Sequence, residues 1–310
     1  MKRRMVCSLF VWILMLSGCA TAGQSYSGST PEADGMTIVT TTYPVYLFAS
    51  AVTGGVEGVQ VERLNTGEAS CLHDYTMSVD DMKKLEAADV IVMNGAGLEE
   101  FMEDALATSN ALVIDCSQGV ELLEGIHHDH EVGEEKDPHI WMDPANAAVM
   151  VENIQAGLTK ADPDHTQMYL SNAESAVQEL KTWDSAAKEL LAASDAPKID
   201  GLITFHDGFQ YFTRAYGLPL LAAIEEEAGS EASAREIQEI TALVEERRLP
   251  VLFTEKNGSD ATAKAIARET GCQVAQLTMI MDGPDNALSN YGDDLMQNIQ
   301  AIINGFQVTP

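Results

Sequence analysis

Basic residues are scarce in this chain. Among 310 residues there are 18 Lys and Arg against 48 Asp and Glu, a formal charge of −30. Such a surface repels a phosphate backbone, so nucleic acid is excluded as a partner, while cations are drawn in. Cysteine is also sparse, with five in all. Cys7 and Cys19 fall in the first twenty residues, and Cys71, Cys116 and Cys272 allow at most one internal bridge, which rules out a disulfide-stapled scaffold. After the apolar run from Met5 to Leu16 no long hydrophobic run recurs, and that run is too short and wrongly flanked for a spanning helix. Glycine and proline are missing throughout 164–194, a gap that allows an uninterrupted helix.

The first twenty residues, "MKRRMVCSLFVWILMLSGCA", place Lys2, Arg3 and Arg4 before the apolar run and small residues after it, the pattern of a secretory signal. The end of the run, "LSGC", resembles a bacterial lipobox. Residues 1–19 are therefore expected to direct export and acylation of Cys19, anchoring the mature chain to a membrane face. Loss of the three basic residues leaves 15 against 48 acids, a formal −33. Residues 20–36, "ATAGQSYSGSTPEADGM", are mostly small and polar and read as a flexible tether.

From Met36 apolar strands alternate with helical segments: "MTIVTT", "PVYLFASAVTG", "VQVERL", "SVDDMKKLEAAD", "VIVMNG", "FMEDALATS" and "ALVIDCS". This order predicts parallel β/α units with ligand loops at the carboxyl ends of the strands. Tyr169, Ala173, Ala176, Leu180, Trp183, Ala187, Leu190 and Leu191 then follow helical spacing. Beyond them the alternation resumes with "GLITF", "GFQYFTRAYG", "LPLLAAI", "SAREIQEITALVEERR", "LPVLFTE", "DATAKAIARETG" and "QVAQL", closing in a helix from about Asn290 to Asn304. Capping boxes are expected at Ser78/Asp81 and Ser233/Glu236, and Asp143 before Pro144 should cap the helix that follows it. The expected fold is α/β, with two lobes of mostly parallel sheet, 37–160 and 197–310, joined by one long rigid helix, 161–196.

The seven histidines concentrate in the first two thirds of the chain. In "KDPHIWMDP" His139 stands between two Asp-Pro corners, and His127, His128 and His130 crowd the acidic loop before it. His73 follows the strand "VQVERL" through a Gly-containing loop and His206 ends "GLITF", so both lie at carboxyl ends of predicted strands; Asp282 lies beyond "QVAQL" in the same way.

Taken in order, "TTYPVYLFASAV", "LHDYTMSVDDMKKLEAADVIVMNGAGLEEF", "DPHIWMDP", "TFHDGFQYFTRAYGL", "EASAREI" and "VLFTEKN" resemble the substrate-binding lipoproteins of bacterial zinc and manganese ABC importers, over roughly Thr37 to Gly305. The resemblance implies two β/α lobes bridged by a rigid helix, and metal ligands at His73, His139, His206 and, with water as an alternative fourth donor, Asp282. It also implies an extracytoplasmic receptor, a monomer held at the membrane by its lipid, that passes metal to a permease and its ATPase. Three imidazoles and one carboxylate suit Zn²⁺, whereas a manganese receptor would place a harder carboxylate at the position of His206. Asp207 and Glu255 are candidates for orienting the imidazole N–H groups. The loop histidines, His127, His128 and His130, resemble a shortened metal-collecting loop. Cys71, two residues before His73, has three readings: a soft ligand, a bridge to Cys116, or an inert thiol. A zinc hydrolase is the competing class, but no "HExxH" helix is present and a fourth protein ligand closes the position an attacking water needs, so no enzyme is expected. A surface adhesin is a third reading.

Overall fold

Alternating apolar residues in each strand divide their side chains between two faces, and that division organises the whole molecule. The computed structural model describes residues 35–65, 75–125, 136–194, 199–225, 232–256 and 258–307. The first sheet contains β1 (Met36–Thr40), β2 (Val59–Arg63), β3 (Val90–Met93) and β4 (Leu112–Asp115), in the order β2-β1-β3-β4 with every pair parallel. The second contains β5 (Leu202–His206), β6 (Leu220–Glu225), β7 (Val251–Glu255) and β8 (Gln273–Leu277), in the order β6-β5-β7-β8, again parallel. Each sheet repeats one topology: the chain leaves its first strand for one edge, then crosses back to build towards the other. The crevice at that reversal, beyond the carboxyl ends of the strands, is where open α/β sheets bind ligands.

Helices cover the sheets as the strand pattern requires. In β1 and β3, Ile38, Val90 and Val92 face a core shared with α1 (Tyr43–Thr53), α4 (Pro144–Ala161) and α5 (Thr166–Ala193). Their neighbours Val39 and Ile91 face the opposite side, with Leu85 of α2 (Val79–Ala87) and with Ala105 and Leu106 of α3 (Glu103–Thr108) packed there. In the second sheet, Leu202, Val251 and Phe253 join the shared core with α6 (Gln210–Tyr216) and α9 (Ser289–Gln307), while Ile203, Phe205 and Leu252 pack under α7 (Ala234–Arg247) and α8 (Ala261–Thr270). The largest core therefore runs unbroken from one sheet to the other, and Gly35–Pro310 forms one compact unit. His206, in phase with Leu202 and Thr204, lies on the shared-core face of β5.

The helix α5 lies within the expected 161–196 span, and its 28 residues extend about 42 Å at 1.5 Å per residue. The preceding helix α4 stops at Ala161 because Pro163 disfavours helical backbone at Asp162, which sits at φ −138° and ψ 82°, and a 3₁₀ turn at Pro163–His165 leads into α5. Asp162 then ties the joint: its Oδ2 accepts from Tyr169 Oη at 2.8 Å and lies 2.6 Å from His165 Nδ1. At the other end α9 approaches so closely that any Cβ on Gly292 would overlap the Trp183 indole, so glycine is needed there. Both expected capping boxes form, at Ser78/Asp81 and Ser233/Glu236. Asp143 accepts from Ala145 N at 2.8 Å with Pro144 in the first turn, as its sequence position implied. The leader and residues 20–34 of the tether, with Cys19, lie outside the described residues, among which no helix is long and apolar enough to cross a membrane; Met36, the last residue of the expected tether, already opens β1.

Candidate metal centre

Two of the expected ligands meet. His139, from the corner before a short 3₁₀ turn at Ile140–Met142, and His206, the last residue of β5, bring their Nε2 atoms to 3.1 Å, with the rings nearly perpendicular. Both side chains are buried. Two nitrogens each about 2.05 Å from one Zn²⁺ at a tetrahedral angle lie about 3.3 Å apart, so the pair is already close to a chelating separation.

The protonation pattern follows from Asp137. Its Oδ1 lies 2.9 Å from the His139 backbone N and 2.8 Å from His139 Nδ1, and a carboxylate oxygen can only accept, so Nδ1–H is the donor. His139 Nε2 is left with its lone pair directed at His206. A cation bound between the rings would take the lone pairs of both Nε2 atoms, with the proton of each neutral imidazole on its Nδ1. Carboxylate-oriented imidazoles of this kind are the usual support of metal-binding histidines.

The corner carrying His139 is pinned from several directions. Asn94 Nδ2 donates to Pro138 O at 2.9 Å, and Tyr211 Oη donates to Asp137 O at 2.9 Å. Trp141 Nε1 donates to Met279 O at 2.8 Å, and Tyr291 Oη donates to Trp141 O at 2.7 Å. Asn94 is held in turn by the buried Glu99, whose Oε1 accepts from Thr41 Oγ1 and Asn94 N at 2.7 Å each, while Oε2 accepts from Gly95 N at 3.0 Å. Burial raises the Glu99 carboxyl to about 7 despite those donors.

Gly208 permits the histidines to converge. A Cβ at this position would overlap the methyl of Met279 and lie 2.7 Å from His206 Cδ2 and 3.1 Å from His139 Cδ2. Met279 belongs to the segment after β8 that leads to Asp282, and its backbone takes an uncommon course. Ile280, fully buried, has φ +60°, a conformation that a β-branched residue rarely adopts. It is held by Ile280 N donating to Thr278 Oγ1 at 3.0 Å, and by Asn298, which accepts from Thr278 N and donates to Thr278 O, each at 2.8 Å. Asp282 emerges half-exposed from this strained segment.

Not every expected residue is placed. His73 and Cys71 lie within 66–74, and His127, His128 and His130 within 126–135, all outside the described residues. Among the described residues, no three of His, Cys, Asp and Glu are grouped closely enough to hold a metal, so the described part of the centre is the histidine pair. Asp207 and Glu255 are buried at the carboxyl edge of the second sheet, adjacent to His206 and at the end of β7. Cys116, which follows β4, is fully buried as a free thiol, and Cys71, its partner in one reading of the sequence, lies outside the described residues. The stem of the 66–74 segment is nevertheless defined. Asp81 accepts from Asn65 N at 2.8 Å and from Tyr75 Oη at 2.6 Å, joining the residues on either side of it.

The orienting role of Asp137, the Asn94–Glu99 buttress and the clearance at Gly208 were not foreseen from sequence. For Asp137 a signal existed, since an Asp side chain readily accepts from the backbone N–H two residues on.

Two parallel sheets around a shared core, with a preorganised imidazole pair at their carboxyl ends, define a two-lobed binding protein with a metal-suited centre. Residues 38–305 match the family model described as ZnuA, zinc-uptake complex component A, periplasmic, and the chain belongs to that family. Its relatives include the iron-binding protein YfeA of Yersinia pestis, 26% identical over 305 residues, with 96% of this chain and 95% of the relative covered. The zinc-binding lipoprotein AdcA of Streptococcus pneumoniae strain R6 is 29% identical over 305 residues, with 94% of this chain covered, but the match spans only 60% of AdcA. A crystal structure of ZnuA superimposes with a TM-score of 0.76 at 27% identity, covering 88% of this chain and all of that one.

Proposed function

We propose that the protein is an extracytoplasmic zinc receptor that captures one Zn²⁺ between the 37–160 and 197–310 lobes and delivers it to an ABC permease driven by a cytoplasmic ATPase. The observation that carries this reading is the 3.1 Å approach of His139 Nε2 to His206 Nε2, with Asp137 fixing the His139 tautomer. His73 and Asp282 complete a four-coordinate shell, and Asp207 and Glu255 orient its imidazoles. Paired imidazoles are borderline donors that favour zinc over manganese, which prefers oxygen. The loop with His127, His128 and His130 gathers metal near the cleft, and the acidic surface raises its local concentration. A lipid on Cys19 holds the monomeric receptor at the membrane, and the protein does no chemistry on its cargo.

Equilibrium dialysis of the chain beginning after Cys19, with metal analysis, is expected to give one tightly held zinc. His206→Ala should weaken that binding at least tenfold without unfolding the protein. Zinc affinity unchanged in this variant would remove the central assignment, and turnover in a hydrolase panel would return the competing class.

A further inference from the structure

A positive charge stands at the carboxyl end of the first sheet with part of its hydrogen-bonding capacity unspent. Arg63 ends β2, and its guanidinium lies over two aromatic faces, 5.0 Å from the Tyr43 ring centroid and 5.9 Å from that of Tyr46. Its Nη1 is buried and has no hydrogen-bond partner among the described residues. Such a donor is expensive to leave unmade, and one in a native structure calls for an occupant. The two tyrosine faces sustain the cation by their π-electrons, which explains how it tolerates this place without a fixed anion.

The nearest chemical match comes from the other sheet. Burial holds the Arg63 guanidinium below its ordinary value, and the charge of Asp282 acts weakly against that shift, although no ion pair joins the two. The two are linked through one ring: Arg63 lies on the face of Tyr43, while the segment after Asp282 packs on its hydroxyl edge. Tyr43 Oη donates to Asp285 O at 2.8 Å and accepts from Asn290 Nδ2 at 2.9 Å, and Gly283 lies so near that any Cβ there would overlap the phenol. Asp282 follows the strained Ile280, on a backbone course fixed from Thr278 and Asn298. Asp282 thus immediately precedes a segment packed on the same Tyr43 ring that carries the Arg63 guanidinium.

We propose that Arg63 is the exchange partner of Asp282: it receives the carboxylate when the metal leaves and must surrender it when the metal binds. This rests on the reading of Asp282 as a ligand. An interaction present only in the metal-free state lowers affinity for metal, and one that begins to form as the carboxylate leaves the metal also speeds release. Arg63 therefore tunes the receptor for delivery rather than for maximal retention. The tyrosine faces keep the cation acceptable in either state.

The test measures zinc affinity by competing-chelator titration and zinc release by stopped flow, in the chain beginning after Cys19. Arg63→Met is expected to bind zinc at least fivefold more tightly and to release it correspondingly more slowly. Lys264→Met, which removes one charge from α8, should leave affinity unchanged and so exclude a net-charge effect. In an Asp282→Asn background the Arg63→Met gain should vanish. Unchanged or weaker binding by Arg63→Met overturns the proposal, as does a gain that persists in Asp282→Asn. If Asp282→Asn itself binds as tightly as the unaltered protein, the exchange fails while the receptor reading stands. Loss of the receptor reading would show instead as an unaltered protein that binds no zinc.

Discussion

Asp137 grips His139 twice through one oxygen, Oδ1, which accepts from the histidine's backbone N at 2.9 Å and from its Nδ1 at 2.8 Å. The first bond sets the corner and the second sets the ring, so backbone and imidazole cannot turn independently. Removing the carboxylate frees the ring to rotate and lets the proton move to the nitrogen that must bind metal. Asp137→Ala is therefore expected to weaken zinc binding by about 10–100-fold, the usual loss when a group that orients a ligand is removed. Calorimetric titration should show this with little change in Tm. A wild-type affinity would mean that Asn94, Tyr211 and Trp141 fix the corner without it.

The parts of this centre legible in the sequence are those set by local rules. Asp143 and Pro144 announce a helix start, Ser78/Asp81 and Ser233/Glu236 announce two more, and the apolar phase of "GLITF" puts His206 at a strand end. What escaped depends on residues far apart in the chain. Asn94 reaches Pro138 across 44 positions, and Trp141 reaches Met279 across 138. Arg63 over Tyr43 and Tyr46 arises because β2 lies beside β1, whose end leads into α1, a relation no periodicity reports. The positive φ of Ile280 runs against local preference, and tertiary hydrogen bonds maintain it.

Gly208 gives a steric test of the same pair. Its Cα leaves no room for a methyl between Met279, His206 and His139. The Met279 end can move, but an imidazole carbon displaced by a few tenths of an ångström carries its Nε2 with it. Gly208→Ala should thus lower zinc affinity several-fold while the far-ultraviolet circular dichroism is unchanged. Gly217, which has open space around its Cα and closes α6 at φ +63°, is the contrasting position: Ala there should reduce stability but spare binding.

Asp81 links stability to pH at the stem of the segment that carries His73. It accepts from Asn65 N, Tyr75 Oη, Ser78 N and Ser78 Oγ, and these donors outweigh its burial and lower its carboxyl to about 2. A depressed folded-state pKa contributes stability that is present above the unfolded value near 3.8 and is lost as pH falls through about 2. Asp81→Asn should destabilise the protein by about 1–2 kcal/mol at pH 7, and the difference should close as pH falls towards 2. Urea unfolding at a series of pH values measures it. A difference independent of pH would assign the loss to altered capping geometry instead of the charge.

The last prediction concerns protons competing with metal. Imidazoles must be neutral to bind, and their ordinary pKa is about 6.5, so competition begins just below neutrality. With three histidines in the shell and all three protonated in the metal-free protein, apparent affinity falls by up to about three powers of ten per pH unit, and by less where the sites titrate unevenly. His139 and His206 alone would set a limit of about two powers of ten, so a steeper fall requires a third imidazole, which is the role given to His73. The measurement is zinc affinity from pH 5 to 8 against a chelator corrected for its own protonation, repeated with His73→Ala. The variant should show a shallower limiting slope than the unaltered protein. Equal slopes would remove His73 from the shell, and a flat profile in both would return the centre to carboxylates or to Cys71.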